Sequence, residues 1–326
     1  VGMQSDECVA AFEAYVLGEA GGTLEAGRLK ALGGQVRARA FPIGLDTEDF
    51  LALSRTHPAD QTYDRMAAHG VFRSLIVGVD RLDYSKGIPE RLLGFEHYLR
   101  THPDMVRKVL YLQIAPSSRA EVEAYQALRA NVLALAGRIN ATWAEMDHAP
   151  VLCVNRNYSR AELAGVYRAA RVGLVTPLRD GMNLVAKEYV AAQNAEDPGV
   201  LILSRFAGAA RQMKDALIVN PYAREELAEA IAEALAMPKA ERVRRWESLM
   251  AGVVRDDVHA WRADFIAALT QAHADQAPDA ERPRKVAFTL GRGLVSALSP
   301  RRETPEPRSG RDSASSAPEW RNSVPG

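Results

Sequence analysis

Arg179-Asp180-Gly181-Met182-Asn183 is a polar turn with a single glycine, set between the apolar run Val172-Gly173-Leu174-Val175 and a helix-forming run over 184–193. The apolar run reads as a buried parallel strand. A strand-to-helix turn gathers free backbone N–H groups and the positive end of a helix dipole in one crevice, which suits an anion. Asp180 adds a carboxylate that can accept hydrogen bonds from hydroxyls, and Glu188, one turn into the helix, adds a second. Those residue types suit a phosphate or a sugar nucleotide. Each has a plainer reading too: Asp-Gly is a common turn, and a glutamate near a helix start complements the dipole.

A second cluster lies in Asp80-Arg81-Leu82-Asp83-Tyr84-Ser85-Lys86-Gly87-Ile88-Pro89. A strand ends near Asp80, and Pro89 suits the first turn of a helix. Arg81 and Lys86 therefore fall at the carboxyl edge of a parallel strand, on the rim that carries 180–183, where ligands of open α/β sheets bind. Two cations there would neutralise a diphosphate and stabilise it as a leaving group, at about 1.5–3 kcal/mol each. They serve equally as ordinary loop cations paired to Asp80 or Asp83. A third cluster, Gln113-Ile114-Ala115-Pro116-Ser117-Ser118-Arg119, leaves a strand at the same rim and enters a serine-capped helix. The planar fork of Arg119 suits a phosphate; pairing with Glu121 or Glu123 is the alternative.

The elements that must position these clusters alternate along the chain. Strands are expected over 74–79, 109–114, 151–155, 172–176, 200–204 and 216–220, with helices over 89–101, 118–136, 160–170, 184–193 and 207–213 between them. This pattern predicts an α/β fold: a parallel sheet of about six strands with helices on both faces. Helices over 224–236, 239–254 and 257–272 follow. Ahead of the sheet stand a strand at 1–4, a helix at 6–17, a strand at 36–41 and one long helix at 47–69. From 273 to 326 the composition turns to Pro, Ser, Arg and Glu. A disordered tail is expected there, because little apolar surface is available to offset ordering entropy.

At 326 residues and 47% hydrophobic, the chain can bury a large core. Lys plus Arg and Asp plus Glu both number 41, so no general attraction to nucleic acid or an acidic membrane is implied. The aromatics are scattered and give no base-stacking platform. No apolar run approaches the roughly 20 residues that span a bilayer, and no signal peptide is visible. Cys8 and Cys153 read as buried free thiols of a reducing cytoplasm. His57, His69, His97, His102, His148, His259 and His273 show no metal-ligand spacing and read as surface or loop residues. A nucleophile elbow, a GxGxxG and a P-loop are all missing, which weakens hydrolase, dinucleotide and P-loop readings.

Five stretches, 80–96, 112–119, 172–193, 198–210 and 216–222, resemble the trehalose-6-phosphate synthase family, glycosyltransferase family 20, in the family's own order; the likeness covers about 1–272. The resemblance implies the GT-B architecture, with two Rossmann-like domains facing across a cleft. On that basis 1–46 is the end of the N-terminal acceptor domain, 47–272 the C-terminal donor domain, and 273–326 the tail. The implied reaction transfers glucose from UDP-glucose to glucose 6-phosphate with retention, without a cofactor or metal. Arg81 and Lys86 would act on the donor diphosphate as the catalytic cations. Asp180 would contact the glucose hydroxyls, with Gly181 and Met182 forming the turn. Asn183, Leu184 and Val185 would present the helix start to the phosphates, and Glu188 would take the ribose. The stretch Asn155–Tyr158, with Asn157 and Tyr158, would lie along the uracil, and Arg119 would reach the acceptor phosphate. The family's glycine-rich loop and most of its acceptor pocket have no counterpart here. A chain that starts at Val1 inside a strand-plus-helix unit is thus expected to be a piece of a longer protein, binding UDP-glucose weakly without turnover. A related synthase with another phosphorylated acceptor such as glycerol 3-phosphate, or a non-catalytic sugar-nucleotide-binding module, are the competing readings. A homo-oligomeric state is left open.

Overall fold

The structure is a computed structural model and describes residues 1–69, 74–117 and 121–274. Arg119, and the tail apart from its first two residues, lie outside the described residues.

The sheet expected from the alternation is present. Six parallel strands, β6 (Ser74–Val79), β7 (Val109–Ile114), β8 (Val151–Val154), β9 (Val172–Val175), β10 (Val200–Ser204) and β11 (Leu217–Val219), lie in the order β11-β10-β9-β6-β7-β8. The chain runs outward from β6 to one edge, returns, and runs outward from β9 to the other. This is the doubly wound order, whose topological switch point falls between β6 and β9. Strand periodicity divides the core in two. Ile76, Tyr111, Leu174 and Ile202 face helices α4 (Ile88–Thr101), α5 (Glu123–Trp143) and α8 (Arg224–Ala236). Their neighbours Val77, Leu112, Val175 and Leu203 share the other cluster with α6 (Arg160–Ala169), α7 (Leu184–Ala192) and α9 (Lys239–Arg255). Burial on both faces explains why the four inner strands, β6, β7, β9 and β10, are largely apolar rather than alternating.

Helix α5 starts at Glu123 and runs to Trp143, well past the expected end. The expected helix at 207–213 is a single 3₁₀ turn, Gly208–Arg211. The expected helix at 47–69 is two, α2 (Thr47–Leu53) and α3 (His57–His69). Asp46 caps the first by accepting from the Asp49 amide at 3.1 Å, and Pro58 sits in the first turn of the second, where its missing N–H is harmless.

The N-terminal piece departs further from expectation. β1 (Gly2–Met3) leads into α1 (Asp6–Gly18), and β1 pairs in parallel with β5 (Arg39–Ala40), a two-residue remnant of the strand expected at 36–41. Between them an antiparallel meander of β2 (Thr23–Glu25), β3 (Arg28–Ala31) and β4 (Gly34–Val36) was not foreseen. Its tight turns place Ala26-Gly27 and Leu32-Gly33 at positive φ, the hairpin geometry usually signalled by Asn-Gly or Asp-Gly. Helix α10 (Val258–Ala274) returns to this piece, with Trp261 Nε1 donating to the Phe41 carbonyl at 3.0 Å and Phe265 edge-on to Phe41. No described helix is long and apolar enough to cross a membrane.

Two minor expectations are corrected. Cys8 is exposed rather than buried, while Cys153 is half-buried in β8, where burial pushes its thiol up to about 11. His148 lies in the loop between α5 and β8 but is buried there rather than on the surface.

Candidate functional site

The loops that leave β6 and β9 meet at the switch point. The amides of Leu178 and Arg179 both donate to the Ser85 carbonyl, at 2.8 and 3.2 Å. Lys86 Nζ then reaches Asp180 Oδ2 at 2.6 Å, although 94 residues separate them. Asp180 also accepts from Asn183 Nδ2 at 3.1 Å. The Lys86 and Asp180 side chains keep 18% and 15% of their exposure, so the pair is sheltered but reachable from solvent. Neither Asp80 nor Asp83 takes Lys86, as the plainer sequence reading had it. Arg81 is exposed and makes no ion pair among the described residues.

Local chemistry shapes each loop. Asp83 accepts from the amide and hydroxyl of Ser85 at 2.9 and 2.8 Å and from Tyr125 Oη at 3.1 Å. Partial burial works to raise this carboxyl, but those donors outweigh it and hold it below the ordinary carboxylate range. Gly87 then takes φ +64°, and a Cβ there would stand 2.7 Å from the Thr176 carbonyl; only glycine lets the two loops come this close.

In the second loop Asn183, at φ +81°, caps α7 by accepting from the Ala186 amide at 3.3 Å. The first-turn amides of Leu184 and Val185 precede the first intrahelical bond and lie at the positive end of the helix. Met182 is buried in the core, Leu184 is exposed and Val185 half-buried. A Cβ on Gly181 would meet only Gln4, at 3.7 Å, whereas one on Gly208 would fall 2.0 Å from the Gly181 carbonyl oxygen. The demand for glycine lies in the β10 loop, whose Gly208 and Ala209 amides donate to the carbonyls of Asp180 and Met182 at 3.0 and 2.8 Å.

Under these loops lies a buried network that sequence reasoning missed. Arg91, on the sheet face of α4 and fully buried, pairs with Asp80 at 2.8 Å. It also donates from Nε to Thr176 Oγ1, from Nη1 to Gln113 Oε1 and from Nη2 to the Lys86 carbonyl, at 3.0, 3.0 and 3.1 Å. One guanidinium thereby ties together the ends of β6, β7 and β9. Gly78 makes room for it: a Cβ there would stand 2.6 Å from Arg91 Nη1. Burial opposes its charge, but the neighbouring Asp80 more than restores it, so Arg91 is a permanent cation. The available signal was an arginine on the apolar stripe Ile88, Leu92, Phe95 and Leu99 of α4, eleven positions after the strand-end Asp80.

Glu188 and the β8 loop form the other wall. Glu188 is mostly buried, and Arg160 Nε stands 3.6 Å from its Oε1. Burial pushes the Glu188 carboxyl up, and Arg160 pulls against that rise. Asn155 and Asn157 are exposed; Asn155 Oδ1 accepts from the Ser117 amide at 2.7 Å, linking the β7 and β8 loops. Tyr158 is half-buried and lines an apolar pocket of about 370 Å³ with Leu112, Leu152 and Val154. A separate cleft of about 450 Å³ opens beside Asp180, lined by Arg179, Gly181 and Phe206 and, from α1, by Cys8 and Ala11. No cluster of three or more metal-ligating side chains occurs among the described residues.

The fold and this crevice define a class first: a doubly wound α/β domain of the GT-B type, with cations, carboxylates and a helix start assembled at its switch point. The chain belongs to glycosyltransferase family 20, whose model matches residues 1–271. It is 45% identical over 271 residues to a trehalose-6-phosphate synthase of Sinorhizobium fredii, covering 83% of this chain and 58% of that protein. A second, from Sodalis glossinidius, is 45% identical over 244 residues, covering 74% and 51%. Among solved structures, a UDP-forming alpha,alpha-trehalose-phosphate synthase from Burkholderia xenovorans in complex with glucose-6-phosphate superposes with a TM-score of 0.80 at 46% identity, covering 82% of this chain and 60% of that one. An E. coli structure described as trehalose-6-phosphate bound with UDP-2-fluoro glucose gives 0.79 at 41% identity, covering 83% and 60%. The chain thus spans between about half and three-fifths of the length of these relatives.

Proposed function

We propose that the crevice between β6 and β9 holds UDP-glucose and that this chain carries the donor half of a UDP-forming alpha,alpha-trehalose-phosphate synthase, with glucose 6-phosphate as acceptor. The observation that carries the reading is the Lys86–Asp180 pair at the switch point, 2.6 Å long and still open to solvent. A pair so placed can be divided by a ligand: the cation turns to the diphosphate, and the freed carboxylate accepts from a sugar hydroxyl. The relatives support the donor and acceptor by what they are described as binding.

In this reading Arg81 joins Lys86 on the diphosphate, and Asn183, Leu184 and Val185 bring the α7 start to the phosphates. Gly181 and Met182 carry the turn beneath the sugar. Glu188 takes the ribose, Asn157 and Tyr158 line the uracil, and Arg119 reaches the acceptor phosphate. The glucose C1–O bond to the diphosphate breaks as the acceptor hydroxyl oxygen bonds C1 from the same face, its proton passing to the departing phosphate oxygen. The configuration at C1 is retained. The protein's part is positioning and stabilisation of the leaving diphosphate.

Calorimetric titration of the chain with UDP and UDP-glucose tests the donor assignment. Measurable binding is expected, weakened about tenfold to a hundredfold in Lys86→Ala, from the roughly 1–3 kcal/mol of a charge-assisted phosphate contact. No binding by the unaltered chain, or an unchanged affinity in Lys86→Ala, would overturn it. UDP release by the full-length protein with glucose 6-phosphate, compared with glycerol 3-phosphate, tests the acceptor; preference for glycerol 3-phosphate would reject glucose 6-phosphate.

A further inference from the structure

Arg160 stands at the first position of α6, inside a capping box in which Ser159 and Glu162 satisfy each other's amides. The box fixes the helix start, so the place from which the arginine projects is fixed as well. Its guanidinium lies over the Phe50 ring at 5.5 Å, donates from Nη1 to Asp49 Oδ2 at 3.1 Å, and brings Nε to 3.6 Å from Glu188 Oε1. A planar, permanently charged fork stacked on an aromatic face and shared between two carboxylates is a positioned group, unlike a loose surface cation.

We propose that Arg160 is a positioning residue for the donor nucleotide, holding Glu188 ionised and in place for the ribose. This rests on the donor-site reading given above. A ribose hydroxyl donates to a carboxylate better than to a carboxylic acid, so Glu188 must stay charged although its surroundings are largely dry. Among the described residues, α6 presents Arg160 and the buried Tyr167 to Glu188. Helix α2 contributes Asp49, which acts through Arg160. The acidic residue contributed from the end of α9, Asp256, acts on Lys187 rather than on Glu188. Arg160 is therefore the cation that opposes the desolvation of Glu188.

The test compares the chain with Arg160→Met and Arg160→Lys by calorimetric titration with UDP at intervals from pH 5.5 to 8.5. The Glu188 carboxyl carbon is followed by NMR in glutamate-labelled protein over the same range, with Glu188→Gln for assignment. In Arg160→Met the midpoint of the Glu188 titration should move up, UDP affinity should fall several-fold or more at the acid end, and it should recover toward the unaltered value at the alkaline end. Arg160→Lys should restore most of both. An unmoved Glu188 midpoint, or an affinity loss equal at every pH, would overturn the proposal. Failure of the unaltered chain to bind UDP would overturn the donor-site reading instead, and the carboxyl titration would still decide whether Arg160 governs Glu188.

Discussion

Two cation–carboxylate pairs sit a few residues apart at the same switch point, and they behave as different kinds of object. Lys86 and Asp180 meet at 2.6 Å on the rim, each with some exposure left. Arg91 and Asp80 meet at 2.8 Å beneath them, with side-chain exposures of 0% and 3%. The deep arginine spends its remaining donors on Thr176, Gln113 and the Lys86 carbonyl. The rim lysine has no comparable web. A buried pair held by such a web cannot exchange partners without stranding a charge in a dry interior. A sheltered pair that still reaches solvent can, because water or a ligand replaces the lost partner cheaply. The lower pair fixes the loops, and the upper pair is the one available for chemistry.

Arg91→Met is the most severe way to break this contrast. It leaves Asp80 buried without its cation, so unfolding in urea should show a loss of about 3–5 kcal/mol. A loss below about 1 kcal/mol would mean that the lower pair is as expendable as the upper. Gly208→Ala should follow at roughly 1–3 kcal/mol, since its Cβ would fall 2.0 Å from the Gly181 carbonyl oxygen and the β9 and β10 loops would have to separate. Lys187 sharpens the comparison by supplying a buried cation that, among the described residues, donates to a carbonyl, that of Ile43, at 3.1 Å. Burial brings its pKa down to about 8, from an ordinary lysine value of 10.5. The unfolded chain then binds more protons between those two values, so stability should rise with pH across that window. Lys187→Met should flatten the rise, a difference of about 1–2 kcal/mol in urea midpoints converted at pH 8 and pH 10. The smallest effect on stability belongs to Lys86→Ala, at about 0–1 kcal/mol. That variant should nevertheless lose at least tenfold in UDP affinity, so a large stability loss would remove the distinction between the two pairs.

Much of the site was legible because the sequence announces where strands end. Asp80, Gln113 and Thr176 each follow or close an apolar run, and residues placed on the rim from that pattern do stand there: Arg81 and Lys86 after β6 and 180–183 after β9. The Asn183 cap of α7, which the structure shows, is a local feature settled within four residues. The meander of β2–β4 was not legible, because its turns use Ala-Gly and Leu-Gly where the usual signal is Asn-Gly or Asp-Gly. Arg91 was hidden for the opposite reason: an arginine on a helix reads as surface, and only its neighbours reveal that it is buried.

By itself the sequence determined which residues lie at the rim of a parallel sheet, since hydrophobic periodicity and turn residues are short-range signals that survive in one dimension. The tertiary structure alone decided which of those residues touch. Lys86 meets Asp180 across 94 positions, and Arg91 meets Thr176 across 85. The strand order that brings β6 beside β9 rather than β8 is a long-range outcome of packing two cores on opposite faces of one sheet. The same packing decided that one pair would be sealed and the other left open.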